Sequence, residues 1–104
     1  MIDVLEEKKA ENILLMDLQG IANFADYFII CSGTSNRMLE SLADAVFQYT
    51  KVNKITGKFQ GVGTDGWLIG DYGDIIVHVF SPDQREYYQL EDLWAEGKVL
   101  LRLQ

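Results

Sequence analysis

Short apolar runs alternate along the chain with polar or glycine-containing breaks, and the pattern is densest between Trp67 and Phe80. There, two runs rich in Ile and Val are parted by Asp-Tyr-Gly-Asp. β-Branched runs bounded by Gly and Asp predict strands, and a Gly in the connection allows a turn with φ above zero. In the second run Ile75, Val77 and Val79 face one way, and Ile76, His78 and Phe80 the other. A strand apolar on both faces belongs mid-sheet, covered on each side. In the first run Trp67 and Leu68 point to opposite faces, and one of those faces is expected to meet another molecule.

The same pattern organises the rest. Residues 1–9 predict a helix with Ile2, Leu5 and Lys9 on one side, too short to persist without docking. Strands are predicted over 13–18 and 27–31, the latter again apolar on both faces. Ser32-Gly33-Thr34-Ser35-Asn36 breaks that strand, and Ser or Asn there caps a helix. From Arg37 to Val52 the residues Leu39, Leu42, Ala43, Val46 and Tyr49 recur at helical spacing, enough to cross a sheet face. A short strand over 54–59 and a loop over 61–66 precede the hairpin. Ser81-Pro82-Asp83-Gln84 then opens a last helix: Ser caps, Pro fits the first turn, Asp83 complements the dipole and Gln84 completes a capping box. That helix should carry Tyr87, Tyr88, Leu90, Leu93 and Trp94 and stop at Gly97 in a left-handed conformation. The tail over 98–103 fits either an extended edge strand or a packed arm. Strand, long helix, then more strands implies a right-handed crossover with the helix on one sheet face. The expected fold is a single α/β or α+β domain over residues 1–104, a mixed sheet flanked by helices.

Charge narrows the partners. Nine basic residues are scattered among sixteen acids, for a net charge of −7. Gripping phosphate requires clustered Lys and Arg, so direct sequence-specific nucleic-acid binding is disfavoured. A basic protein partner is allowed and would be steered in by the acidic field. Cys31, the single cysteine, cannot form an internal disulfide and suggests a reducing compartment. No apolar run approaches the roughly 20 residues of a membrane helix, and no signal-peptide pattern opens the sequence. The expected location is the cytoplasm, off the membrane.

Candidate chemistry is sparse. Gly61-x-Gly63-x-x-Gly66 spells a dinucleotide fingerprint, but a strand follows it where a helix should receive the pyrophosphate. It reads as a loop. The Ser32–Arg37 turn joins a strand to a helix as phosphate cradles do, and a nucleotide-binding or nucleotidyltransferase-like enzyme would use it with metal-holding carboxylates. The available acids, Asp71 and Asp74, flank a turn, and the strand over 75–80 has none, so capping is preferred. His78, the only histidine, reads as a core residue rather than a general base. Cys31 has nothing nearby to lower its pKa, and Glu86, Glu91, Asp92 and Glu96 read as the solvated side of the last helix. No catalytic residue, cofactor or metal site is expected, and no enzyme. Aromatic content remains: Trp67, Leu68, Asp71 and Tyr72 on one strand and its turn. Trp and Tyr dominate binding energy at protein interfaces, although Trp67 packed under the last helix accounts for the pattern equally well.

Three blocks give the chain a resemblance. Asp26-Tyr-Phe-Ile-Ile-Cys-Ser-Gly-Thr-Ser-Asn-Arg37, Gly66-Trp-Leu-Ile-Gly-Asp-Tyr-Gly-Asp-Ile-Ile-Val-His-Val-Phe80 and Arg85-Glu-Tyr-Tyr-x-Leu-Glu-x-Leu-Trp94 resemble the ribosomal silencing factor (iojap, RsfS) family, in order and over nearly the whole chain. The resemblance implies a mixed sheet flanked by helices, a nucleotidyltransferase-like fold without the catalytic carboxylates. It further implies a homodimer that docks on large-subunit ribosomal protein L-fourteen, blocks joining of the small subunit and represses translation. Trp67, Leu68, Asp71 and Tyr72 match the family's conspicuous surface block and inherit the docking role. The family's first helix is usually longer, and residues 97–104 match no part of its pattern.

Overall fold

The two strands apolar on both faces lie side by side at the centre of one six-stranded sheet. The computed structural model describes residues 1–104, with α1 (Ile2–Glu7), β1 (Glu11–Asp17), β2 (Tyr27–Ser32), α2 (Asn36–Val52), β3 (Lys58–Gln60), β4 (Trp67–Asp71), β5 (Ile75–Phe80), α3 (Pro82–Tyr88), α4 (Leu90–Leu93) and β6 (Lys98–Leu103). The order is β3-β4-β5-β2-β1-β6. β2 and β5 form the single parallel pair, while every other pair is antiparallel. Parallel strands need a crossover, here supplied by α2 and the β3–β4 excursion. The sheet is mixed, as expected.

Each face of the sheet seals a separate core. On one, α1 and α2 lay Leu5, Leu39, Leu42, Ala43 and Val46 over Ile13, Ile29, Cys31, Leu68, Val77 and Val79. On the other, Leu18, Ala25 and Leu90 cover Leu14, Met16, Phe28, Ile30 and Phe80. α1 is short and docks through Leu5, so tertiary burial stabilises what its length cannot. α2 begins where Ser35 Oγ accepts the Met38 N–H at 3.1 Å, the cap anticipated from composition. Its buried stripe ends on Thr50 rather than Tyr49, which is left partly exposed.

Several expectations fail at element ends. β3 is three residues long and begins at Lys58, because Lys54 takes a left-handed φ of 57° and Gly57 must pass beneath Tyr72. The last helix is two helices, broken at Gln89 with φ 47°. That break turns Leu90 onto the sheet and brings Glu91 back toward Arg85. Gly97 has no positive φ; a Cβ there would come within 2.6 Å of Leu18 Cδ2, so its reason is space. Ser81 Oγ caps α3 by accepting the Gln84 N–H at 3.2 Å. The Ser81 N–H already donates to the Gly66 carbonyl, so Gln84 does not close a capping box. The tail is β6, an edge strand against β1.

Gly57 carries a testable consequence. An added Cβ would overlap the Tyr72 ring and approach the Asp71 carbonyl to 2.5 Å. Backbone cannot yield as a side chain can, so Gly57→Ala is expected to lower stability by about 2 kcal/mol in urea unfolding. A loss below about 0.5 kcal/mol, the usual scale of a harmless surface change, would show that this crossing is loose.

Candidate docking surface

Strand alternation decides the fate of the four residues singled out on β4 and its turn. Phe59 packs over Gly70, and Leu68 and Tyr72 share that side with the α2 core. Both are sealed there, Leu68 at 2 % and Tyr72 at 8 % exposure. Thr50 Oγ1 lies 3.1 Å from the Tyr72 hydroxyl and 2.9 Å from the Phe47 carbonyl. A hydroxyl has one proton, so Thr50 gives its own to the carbonyl and Tyr72 donates to Thr50. The expectation of one surface block of four is therefore corrected. Leu68 and Tyr72 hold β4 from beneath.

Trp67, Ile69 and Asp71 lie on the opposite side, where no helix crosses the β3 end of the sheet. Trp67 is half-buried, stacked on Phe80 at 4.9 Å between ring centroids and against Tyr88 at 4.5 Å. Its Nε1–H donates to His78 Nδ1 at 3.2 Å. The indole's polar edge is thus used internally, and what it offers outward is apolar area. Trp67 packs beside α3 through Tyr88 and is left only partly buried. Asp71 is exposed, with Oδ1 accepting the Gly73 N–H at 3.0 Å and no ion pair within the chain. Half-buried Ile69 and Ile76 continue the apolar strip, and Phe24 and Tyr88 stand partly exposed at its margin. Sequence reasoning missed these four. Only strand pairing brings Ile76 opposite Asp71, and nothing local marks Phe24 as meeting Trp94 at 5.5 Å.

Around the Ser32–Arg37 turn, Gly33 N–H goes to the Phe80 carbonyl, Thr34 bonds Met38 Sδ and Arg37 is exposed. A Cβ at Gly33 would sit 3.0 Å from Leu39, so the turn is packed against α2. Asp71 and Asp74 flank the hairpin turn, and no group of three metal-ligating side chains gathers in the molecule. Gly61–Gly66 contains a single 3-10 turn that feeds β4. Burial pushes the Cys31 thiol up to about 12, which leaves it protonated and inert. Burial also pushes His78 down to about 4, which keeps the imidazole neutral. Glu91, expected on a solvated face, instead pairs with Arg85 at 3.1 Å.

The sequence model described as "Ribosomal silencing factor during starvation" (RsfS) matches residues 1–103. The chain belongs to the ribosomal silencing factor family. Since the RsfS match runs to residue 103, β6 falls within it, and the sequence-based view that the tail had no counterpart is corrected. The RsfS protein of Bacillus subtilis is 40 % identical over 93 residues, covering 88 % of this chain and 79 % of its own length. The mouse "Mitochondrial assembly of ribosomal large subunit protein 1" is 32 % identical, covering 91 % of this chain and 43 % of the mouse protein. A crystal structure from Chromobacterium violaceum superposes with a TM-score of 0.86 at 32 % identity, covering 90 % of this chain and 79 % of that one. No helix here is long and apolar enough to cross a membrane.

Proposed function

We propose that this chain is a translation repressor that works by steric occlusion, without catalysis. It docks on large-subunit ribosomal protein L-fourteen through the open β4 face and so blocks the small subunit from joining. Membership of the RsfS family supports the ribosomal setting. The observation that carries the surface assignment is the Trp67–Ile69–Asp71 face, where a half-buried stacked indole, a half-buried Ile69 and an exposed carboxylate with no ion pair share one side of β4. Trp67 and Ile69 supply apolar area, and the unpaired side of Asp71 takes a basic side chain of the partner. Leu68 and Tyr72 contribute indirectly, by fixing the strand that presents the other residues. The net charge of −7 favours approach to a basic partner. The reading includes a homodimer, as the family resemblance implies, acting in the cytoplasm.

Capture of large ribosomal subunits from lysate at moderate salt tests it. Trp67→Ala with Asp71→Ala is expected to weaken capture at least about tenfold, as hot-spot truncation does. Cross-linking with mass spectrometry should place the contact on L-fourteen. Undiminished capture by the double variant sinks the surface assignment, and cross-links to another protein sink the partner.

A further inference from the structure

We propose that His78 is the positioning residue of this docking surface: its Nδ1 accepts the Trp67 indole N–H and so decides which edge of the indole faces a partner. The inference rests on the β4 docking reading and adds a role for a side chain that the reading does not use.

Stacking alone does not orient Trp67. The indole lies on Phe80 at an interplanar angle of 28°, a contact between ring faces that by itself accepts the N–H edge pointing inward or outward. The hydrogen bond to His78 selects one of the two orientations. His78 sits on β5 opposite Ile69, diagonal to Trp67 on the same sheet face, within reach of a long aromatic side chain. The selected orientation turns the N–H inward and the hydrocarbon edge outward. A partner pocket then needs to offer no acceptor, only apolar walls.

The rest of the imidazole is otherwise hard to explain. His78 is 5 % exposed among Phe28, Trp67 and Phe80, at 4.6, 5.9 and 6.0 Å. Its Nε2 is buried with no hydrogen-bond partner. Because Nδ1 accepts, the neutral ring must carry its proton on Nε2, which leaves that donor unmet. An apolar residue would fill this place without that penalty. What an apolar residue cannot supply is the acceptor for Trp67.

The first test uses the unaltered protein. Long-range nitrogen–proton NMR of the sole histidine should show the Nε2–H tautomer, with the Trp67 indole proton shifted to the hydrogen-bonded range; an Nδ1–H tautomer overturns the proposal. The second uses variants. His78→Asn keeps an oxygen where Nδ1 stood, whereas His78→Leu removes the acceptor. His78→Leu should move the indole resonance to its free position and weaken large-subunit capture about fivefold, the scale of one neutral hydrogen bond. His78→Asn should restore both. Equal capture by the two variants, or an unmoved indole signal in His78→Leu, overturns the positioning role. If Trp67→Ala captures as well as the unaltered chain, the docking reading has failed instead, and the NMR result stands apart from it.

Discussion

Arg85→Met is expected to lower folding stability by about 3 kcal/mol, the cost of leaving a largely buried carboxylate without its counterion. The guanidinium joins three elements of the fold. Its Nε meets Glu91 Oε2 at 3.1 Å, and its Nη1 donates to Ser32 Oγ at 3.0 Å and to the Asn12 carbonyl. Ser32 ends β2, Asn12 lies in the β1 bulge with φ 51°, and Glu91 opens α4. The two charged side chains are 12 % and 24 % exposed, so solvent screens them only partly. Methionine keeps the stem's bulk but leaves three acceptors unmet, and Glu91 Oε1 has no partner even now. Lysine should not rescue, because a single ammonium cannot reach acceptors lying in several directions. Arg85→Met with Glu91→Met should recover most of the loss, since removing both ions removes the unpaired charge. Urea unfolding at neutral pH measures each. A loss under about 1 kcal/mol for Arg85→Met would mean the cluster behaves as an exposed pair.

The second large effect is acid sensitivity centred on His78. Burial lowers its pKa from the ordinary 6.5 to about 4. Below pH 6.5 the unfolded chain takes up a proton that the folded chain refuses until about pH 4. Protons therefore favour the unfolded state, and stability rises with pH across that window. The shift corresponds to about 3 kcal/mol lost between pH 6.5 and 4, of which about 2 is gone by pH 5. His78 is the only histidine, so comparison with His78→Asn isolates the contribution. The unaltered chain should lose stability more steeply than His78→Asn from about pH 6.5 downward, by urea unfolding at each pH. Parallel curves would show that the imidazole is solvated and the surrounding aromatic layer open.

Much of the architecture was legible in local pattern. Both two-faced apolar runs became the central strands, the hairpin formed at Tyr72-Gly73, and α2 lies within a residue of its expected start. The caps at Ser35 and Ser81 formed as their side chains dictate. What failed was set by distant partners. The helix after Pro82 breaks at Gln89 although nothing local requires it, because Leu90 gains burial and Glu91 gains Arg85. Gly97 suggested handedness, whereas the real constraint is the close approach of Leu18.

The candidate site divides along the same line. Period-two alternation alone determined that Trp67 and Asp71 part from Leu68 and Tyr72, since neighbouring strand residues face opposite ways whatever the fold. Sequence also determined the acidic field, because net charge depends only on which residues are present. Tertiary structure decided which of the two β4 faces α2 would cover, and that choice sealed two of the four residues and left two open. It alone brought His78 beneath the indole and Arg85 among β1, β2 and α4, because hydrogen bonds across 6 to 73 positions arise from strand order and helix placement. A strand's own residues state which side chains travel together; only its neighbours state which side meets water.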